Sequence, residues 1–149
     1  MISLELPKTP EENVLIAAWV AKRIPNFKPV KYVTMAFFKP GYGVVGGVVY
    51  HNYRGTDIEI AFAAEKGQQW ASRDIIAMAL RYPFDIGCNR ITALARKDNK
   101  RVRKLLAKIG FKQEGKLRKA DDDGHDLFIY GLLENESRME RKEKMRKAA

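Results

Sequence analysis

Six stretches of the chain carry the period-two or wholly apolar pattern of strands, and three carry a helical pattern. Residues Thr9 to Ile24, TPEENVLIAAWVAKRI, predict a helix. Thr9 is placed to cap it, Pro10 fits the first helical position, Glu11 and Glu12 suit its positive end, and Pro25 stops it. Val30 to Phe38 alternates as a strand and is followed by the turn signal KPGYG. Val44 to Tyr53 predicts a second strand, in which Gly46-Gly47 signals a bulge or a close backbone approach. Arg54-Gly55 turns into a third strand, Asp57 to Ala63, where Asp57 and Glu59 share a face. A second helix spans about Ser72 to Ile86, and Asn89 to Ala95 is an apolar strand. Asp98 or Asn99 caps a third helix running to Ile109, with Gly110 as its C-terminal glycine. Two short strands then flank ADDDGHD, whose Asp-Gly marks a hairpin. These elements predict one α+β domain with a mostly antiparallel sheet and one strand–helix–strand crossover, covering residues 1–133. Residues 134–149, with almost no apolar side chains, are expected to form a basic tail, helical or disordered.

Length and composition narrow the class without changing this picture. At 149 residues the chain can bury one core, and its 46% hydrophobic and 31% charged residues are those of a globular protein. No apolar run reaches the roughly 20 residues that cross a bilayer, and the N-terminus lacks a basic start and an apolar segment. One cysteine, Cys88, allows no internal disulfide or Cys-based zinc site, and His51 and His125 stand far apart in sequence. A cytoplasmic protein with no structural metal and no membrane contact is expected.

Charge adds chemistry. The formal net charge is +10, and residues 96–119 hold eleven Lys/Arg against two acids. A face this basic attracts polyanions, either nucleic acid or a phosphorylated cofactor, although a solvated lysine-rich helix face is the plain alternative. Two predicted helices also open on cations: GQQWASR leads into Ser72-Arg73, and Asn99 is followed by Lys100, Arg101 and Arg103. A helix N-terminus is itself positive, so each such cation costs about 0.3–1 kcal/mol unless an anion offsets it. Backbone N–H groups at helix starts bind phosphate directly, so two such starts point to a diphosphate-bearing ligand. The competing reading pairs these cations with Glu65 and Asp98. Neither G-x-x-x-x-G-K-[ST] nor G-x-G-x-x-G occurs.

The segment DNKRVRKLLAKIGFKQEGKLRKA, Asp98 to Ala120, carries an Asp-Asn helix start, then Gly-Phe, then Glu-Gly. With IEIAF before it and YGLLENE after it, the chain from about Val44 to Glu136 resembles the GNAT superfamily of N-acetyltransferases. The resemblance is greatest to the branch that acetylates ribosomal-protein N-termini. The loop form Trp-Ala-Ser-Arg also resembles a subset carried by phages and prophages, for which the location would be the host cytoplasm.

The resemblance implies a mixed, mostly antiparallel central sheet flanked by helices, with acetyl-CoA as cosubstrate. The activity it implies is acetyl transfer to a primary amine of a protein or peptide. Phe62 and Ala63 would pair their backbone with the pantetheine arm. Gln68, Gln69, Trp70, Ala71, Ser72 and Arg73 would hold the pyrophosphate. Asn99 would contact the pantetheine arm, and Arg101 and Arg103 would approach the phosphates. Glu59 is the candidate base. The sequence departs from the family pattern at three places: Trp70 stands near a loop glycine's place, and Leu106 and Val102 occupy positions where relatives carry a tyrosine or serine acid. His51, Tyr50 and Tyr130 are secondary site candidates, and the acidic hairpin of Asp121, Asp122, Asp123, His125 and Asp126 could attract a cationic acceptor. The alternative function is nucleic-acid binding through residues 96–119, or acyl transfer to a nucleic-acid-linked amine, by a monomer or homodimer.

Overall fold

The structure, a computed structural model, describes residues 2–67 and 72–139. The described residues form seven strands, three α-helices and a short 3-10 helix. They fall into two compact units: Met1–Tyr53 with Glu59–Ala79, and Arg54–Ile58 with Leu80–Ala149.

In the first unit, β1 (Ser3–Glu5), β2 (Tyr32–Lys39), β3 (Gly43–His51) and β4 (Asp57–Ala64) pair in sequence order, each antiparallel to the next. The first two residues of β4 belong to the other unit. The sequence pattern misses β1, because a three-residue strand is too short to show alternation. Helix α1 (Pro10–Ala21) starts as expected, with the Thr9 hydroxyl accepting from the Glu12 N–H. It ends three residues before the expected Ile24. A residue preceding proline is pushed out of the helical region, and the chain closes instead with i→i+3 bonds from Arg23 N–H to Val20 O and from Ile24 N–H to Ala21 O. The core here gathers Ala17 and Val20 of α1, Val49 of β3 and Ala63 of β4, with Trp19, Ile24, Phe27 and Tyr32 packed against it. Gly47 is the close approach expected from the sequence: a Cβ there would meet Val20 Cγ2 at 2.7 Å. The register shift between Phe37 and Phe38 places the bulge beside it.

In the second unit, β7 (Leu127–Leu133) lies between β5 (Arg90–Arg96) and β6 (Lys112–Leu117), antiparallel to both. Helix α2 (Arg73–Asp85) contributes its first turns to the first unit and its last to this one. Helix α3 (Lys100–Ile109) is capped by Asn99, whose Oδ1 accepts from the Val102 N–H, so Asn99 rather than Asp98 is the cap. At its other end the Phe111 N–H reaches Leu106 O and the Gly110 N–H reaches Ala107 O, the paired closure that requires a left-handed residue. Leu106 and Ile109 are the buried side chains of this helix. The hairpin between β6 and β7 is longer than a two-residue turn. The Gly124 N–H bonds to Asp121 O, and the Asp121 N–H bonds to His125 O.

The Gly-Phe and Glu-Gly elements of the motif have structural work in this unit. Phe111 is buried. Glu114 forms a two-pronged pair with Arg90 at 2.8 and 3.3 Å, and these two side chains fill the space over Gly131. Gly115 sits at the β6 register shift. Gly110 combines φ of +125° with a Cβ direction blocked by the Glu136 carbonyl. Gly41 has φ of +82° and open space. Gly110→Ala is therefore expected to cost more than about 2 kcal/mol, and Gly41→Ala about 1 kcal/mol. Thermal denaturation of both variants checks this, and equal shifts in Tm would show that the Glu136 contact is immaterial.

Candidate active site

Strand β4 alternates as expected, with Ile58 and Ile60 buried and Asp57 and Glu59 facing the other way, partly covered. The two acids have different surroundings. Asp57 accepts from the Thr92 hydroxyl at 2.7 Å and lies 3.4 Å from Arg90 Nε, so it is held in a structural network. Glu59 stands directly across the ladder from His51. Its Oε2 is 3.1 Å from His51 Nε2, and its Oε1 accepts from Asn52 Nδ2 at 3.2 Å. The Glu59 side chain is 17% exposed and that of His51 only 9%. His51 Nε2 touches the Glu59 carboxylate without hydrogen-bond alignment. Phe27 meets the imidazole edge-on, with centroids 5.1 Å apart. Asn52 is set in position by a positive φ of 52°. A carboxylate beside an imidazole can accept a proton and pass it on.

Three residues beyond Glu59 on β4, Phe62 is partly covered and Ala63 is buried, paired with Val48 and Gly47 of β3 respectively. Gln68, Gln69, Trp70 and Ala71 lie outside the described residues. Ser72 caps α2: its Oγ accepts from the Ile75 N–H at 3.2 Å and its carbonyl from the Ile76 N–H. Arg73 is the first residue of that helix. Glu65, its expected acidic partner, is taken by Arg23 at 2.6 Å, and Arg73 makes no ion pair among the described residues.

In the second unit, Asn99 holds the start of α3 and Arg101 is exposed on its first turn, with no acid there. Asp98 is bound instead to Arg96 at 2.9 Å. Arg103 is committed to the fold: its Nε donates to Tyr130 Oη, its Nη1 donates to Lys97 O, and its guanidinium lies 4.2 Å from the centre of the Phe128 ring. Tyr130 and Tyr50 are both buried. Leu106, at the place of the relatives' tyrosine acid, is also buried. Burial and then the charge of Asp57 push the Cys88 thiol up, so it stays protonated.

The acidic hairpin is paired in part from within its own unit. Arg96 lies 3.6 Å from Asp121, 3.2 Å from Asp123 and 3.1 Å from His125 Nε2. Asp121, Asp123 and His125 bring donor atoms within 4.8 Å of one another, but the Arg96 guanidinium already supplies the cation there. The His51–Glu59 contact escapes sequence reading, since it depends on β3–β4 register. A histidine ending one strand and a glutamate starting the next is the only trace the sequence carries.

No family model matches this sequence, and no curated protein matches it. Solved structures do. The ribosomal-protein alanine N-acetyltransferase from Escherichia coli is 15% identical with a TM-score of 0.69, over 89% of this chain and 94% of that one. An acetyltransferase of the GNAT family from Bacillus anthracis is 25% identical with a TM-score of 0.57, over 69% of this chain and 67% of that one. A chain of the NatC complex bound to Gag peptide and CoA is 13% identical with a TM-score of 0.69, over 89% and 98%. The fold is that of the GNAT N-acetyltransferases. In a GNAT fold the α+β assignment read from the sequence pattern holds. Among the described residues no helix is long and apolar enough to cross a membrane.

Three carboxyls of the second unit give this region a pH dependence. Asp98 is held below the usual range by its hydrogen bond from Arg96, Asp126 by the Lys119 N–H, and Glu136 by Lys112 and then the Leu133 N–H. A carboxyl depressed in the folded state binds fewer protons there than in the unfolded chain. Its stabilisation is present above the ordinary carboxyl range, about pH 4, and is lost as pH falls below it. The melting temperature is expected to drop between about pH 5 and 3, and to drop less steeply in Glu136→Gln. Parallel curves for the two proteins would show that Glu136 carries none of this dependence.

Proposed function

We propose that this chain is an acetyl-CoA-dependent N-acetyltransferase acting on a primary amine of a protein or peptide. The observation that carries the reading is Glu59: largely sheltered, in contact with His51 and Asn52, and three residues before Phe62–Ala63 on the same strand. Two likenesses support the acceptor class: the ribosomal-protein alanine enzyme and the peptide-bound NatC chain share the fold. The CoA in the second supports the cosubstrate.

The residues present fit acetyl-CoA. Arg73 is a cation at a helix start with no acid paired to it among the described residues, so a phosphate there relieves the electrostatic cost of its position. Arg101 offers the same in the second unit, whereas Arg103 is largely spent on Tyr130, Lys97 and Phe128. Asn99 Oδ1 is used as the cap, so only its amide NH₂ is left to donate to a ligand.

In the reaction, Glu59 takes a proton from the acceptor ammonium, the neutral amine nitrogen attacks the thioester carbonyl carbon, the carbon–sulfur bond breaks, and the proton the nitrogen then sheds goes to the departing thiolate directly or through water. An ammonium with a pKa near 10 needs such a base. The thiolate, with a pKa near 8.5, leaves without a dedicated acid, in keeping with a buried Leu106 where relatives carry one. His51 is a positioning residue that fixes the Glu59 carboxylate from behind.

Glu59→Gln is expected to lower kcat/KM by about 10²- to 10⁴-fold while leaving acetyl-CoA affinity unchanged. His51→Asn should lower kcat several-fold with little change in acetyl-CoA affinity, rather than abolish activity. The assay is acetyl transfer to a panel of N-terminal peptides and polyamines across pH. A fully active Glu59→Gln enzyme with an unaltered profile would remove the base assignment.

A further inference from the structure

The second unit treats its cations in two ways. Arg81, Arg90, Arg96, Lys112 and Lys116 are each paired with a carboxylate. On α3, by contrast, Lys100, Arg101, Lys104 and Lys108 are all exposed and make no ion pair among the described residues. At 100° per residue these four positions fall within about 100° of arc, on the side opposite the buried Leu106 and Ile109. The first turn of α3 contains no acid.

This arrangement costs the helix stability. Lys100, Lys104 and Lys108 are like charges at i,i+4 spacing, and Lys100 and Arg101 oppose the helix dipole. A diphosphate at the helix start offsets the last two only. Lys104 and Lys108 lie one and two turns further along, about 6 and 12 Å at 1.5 Å per residue. The basic surface continues beyond α3. Arg118 and Lys119 are exposed just past β6. The Lys119 N–H, and then the charges of Lys116, Lys97 and Arg118, hold the Asp126 carboxyl below the usual carboxylate range.

We propose that the α3 stripe is a docking surface for the phosphate backbone of duplex nucleic acid, bound without regard to sequence. A duplex carries one negative charge per about 1.7 Å of axis, so the roughly 12 Å of stripe faces several phosphates at once. The surface lacks what the other partners need. Among the described residues of this unit, the exposed large hydrophobics are Ile86, Leu117 and Leu133, none of them aromatic. Stacking of single-stranded bases and aromatic anchoring of a protein partner both depend on such side chains. The inference does not depend on the acetyltransferase reading.

The test is fluorescence anisotropy with labelled 20-base-pair duplexes, two unrelated DNA sequences and one RNA, from 50 to 300 mM salt. The two DNA sequences should bind alike, in the micromolar range, with a log–log salt slope of about −4. Lys104→Glu/Lys108→Glu should weaken binding at least tenfold and reduce the slope by about 2. Lys28→Glu/Lys31→Glu, the same charge change on exposed residues of the first unit, should change it less than twofold. Circular dichroism confirms that both variants fold. The RNA arm tells which duplex is preferred, and binding to either supports the surface. Equal losses in the two double variants, no binding at 100 μM protein, tighter binding to polyglutamate or to anionic vesicles than to duplex, or full displacement by acetyl-CoA would each overturn it.

Discussion

The antiparallel ladder between β3 and β4 is the constraint on which the candidate site rests. Its register sets His51 opposite Glu59 and Gly47 opposite Ala63, and a slip of one residue would turn Glu59 toward the packed face. The register is held by burial: Val45, Val48 and Val49 on β3 and Ile60 on β4 are all within a few per cent of fully buried. Gly47 lets α1 close over the sheet, because Val20 occupies the space a side chain would need. Phe27, which follows α1, then meets His51 edge-on. Helix, glycine and strand pair together fix one carboxylate with its oxygens in known directions.

The two units handle charge by different means. In the second, arginines bind acids that the chain supplies: Arg90 takes Glu114 and Asp57, and Arg96 takes Asp98, Asp121 and Asp123. Asp121 and Asp123 of the hairpin thus share the single guanidinium of Arg96 with Asp98. Arg73, Arg101 and the α3 lysines have no such partners among the described residues. These two behaviours separate cations that hold the fold from cations without a carboxylate partner among the described residues.

Much of the fold is legible in the sequence because its signals are local. Thr9, Asn99 and Gly110 announce helix ends through hydrogen bonds made within four residues, and five of the six longer strands show in their apolar patterns, whereas β6, KQEGKL, shows only through the Asp-Gly turn that follows it. Glu59 was legible as an acid sharing a face with Asp57 on an alternating strand. What could not be read depends on partners distant in sequence: His51 behind Glu59, Arg103 fastened to Tyr130 and Lys97, and Glu114 locked to Arg90 over Gly131. β1 was missed because three residues set no period. The loop residues Gln68, Gln69, Trp70 and Ala71 fall outside the described residues, so their assignment rests on resemblance alone.

Cofactor recognition is the claim on which the enzymatic account stands, and calorimetric titration of acetyl-CoA into the intact chain addresses it most directly. The account predicts one site with a Kd between about 1 μM and 1 mM, the range of typical enzyme substrates. Binding should be weakened at least tenfold by Arg73→Glu and left unchanged by Arg138→Glu. Absence of both heat and a thermal shift at millimolar acetyl-CoA would contradict it.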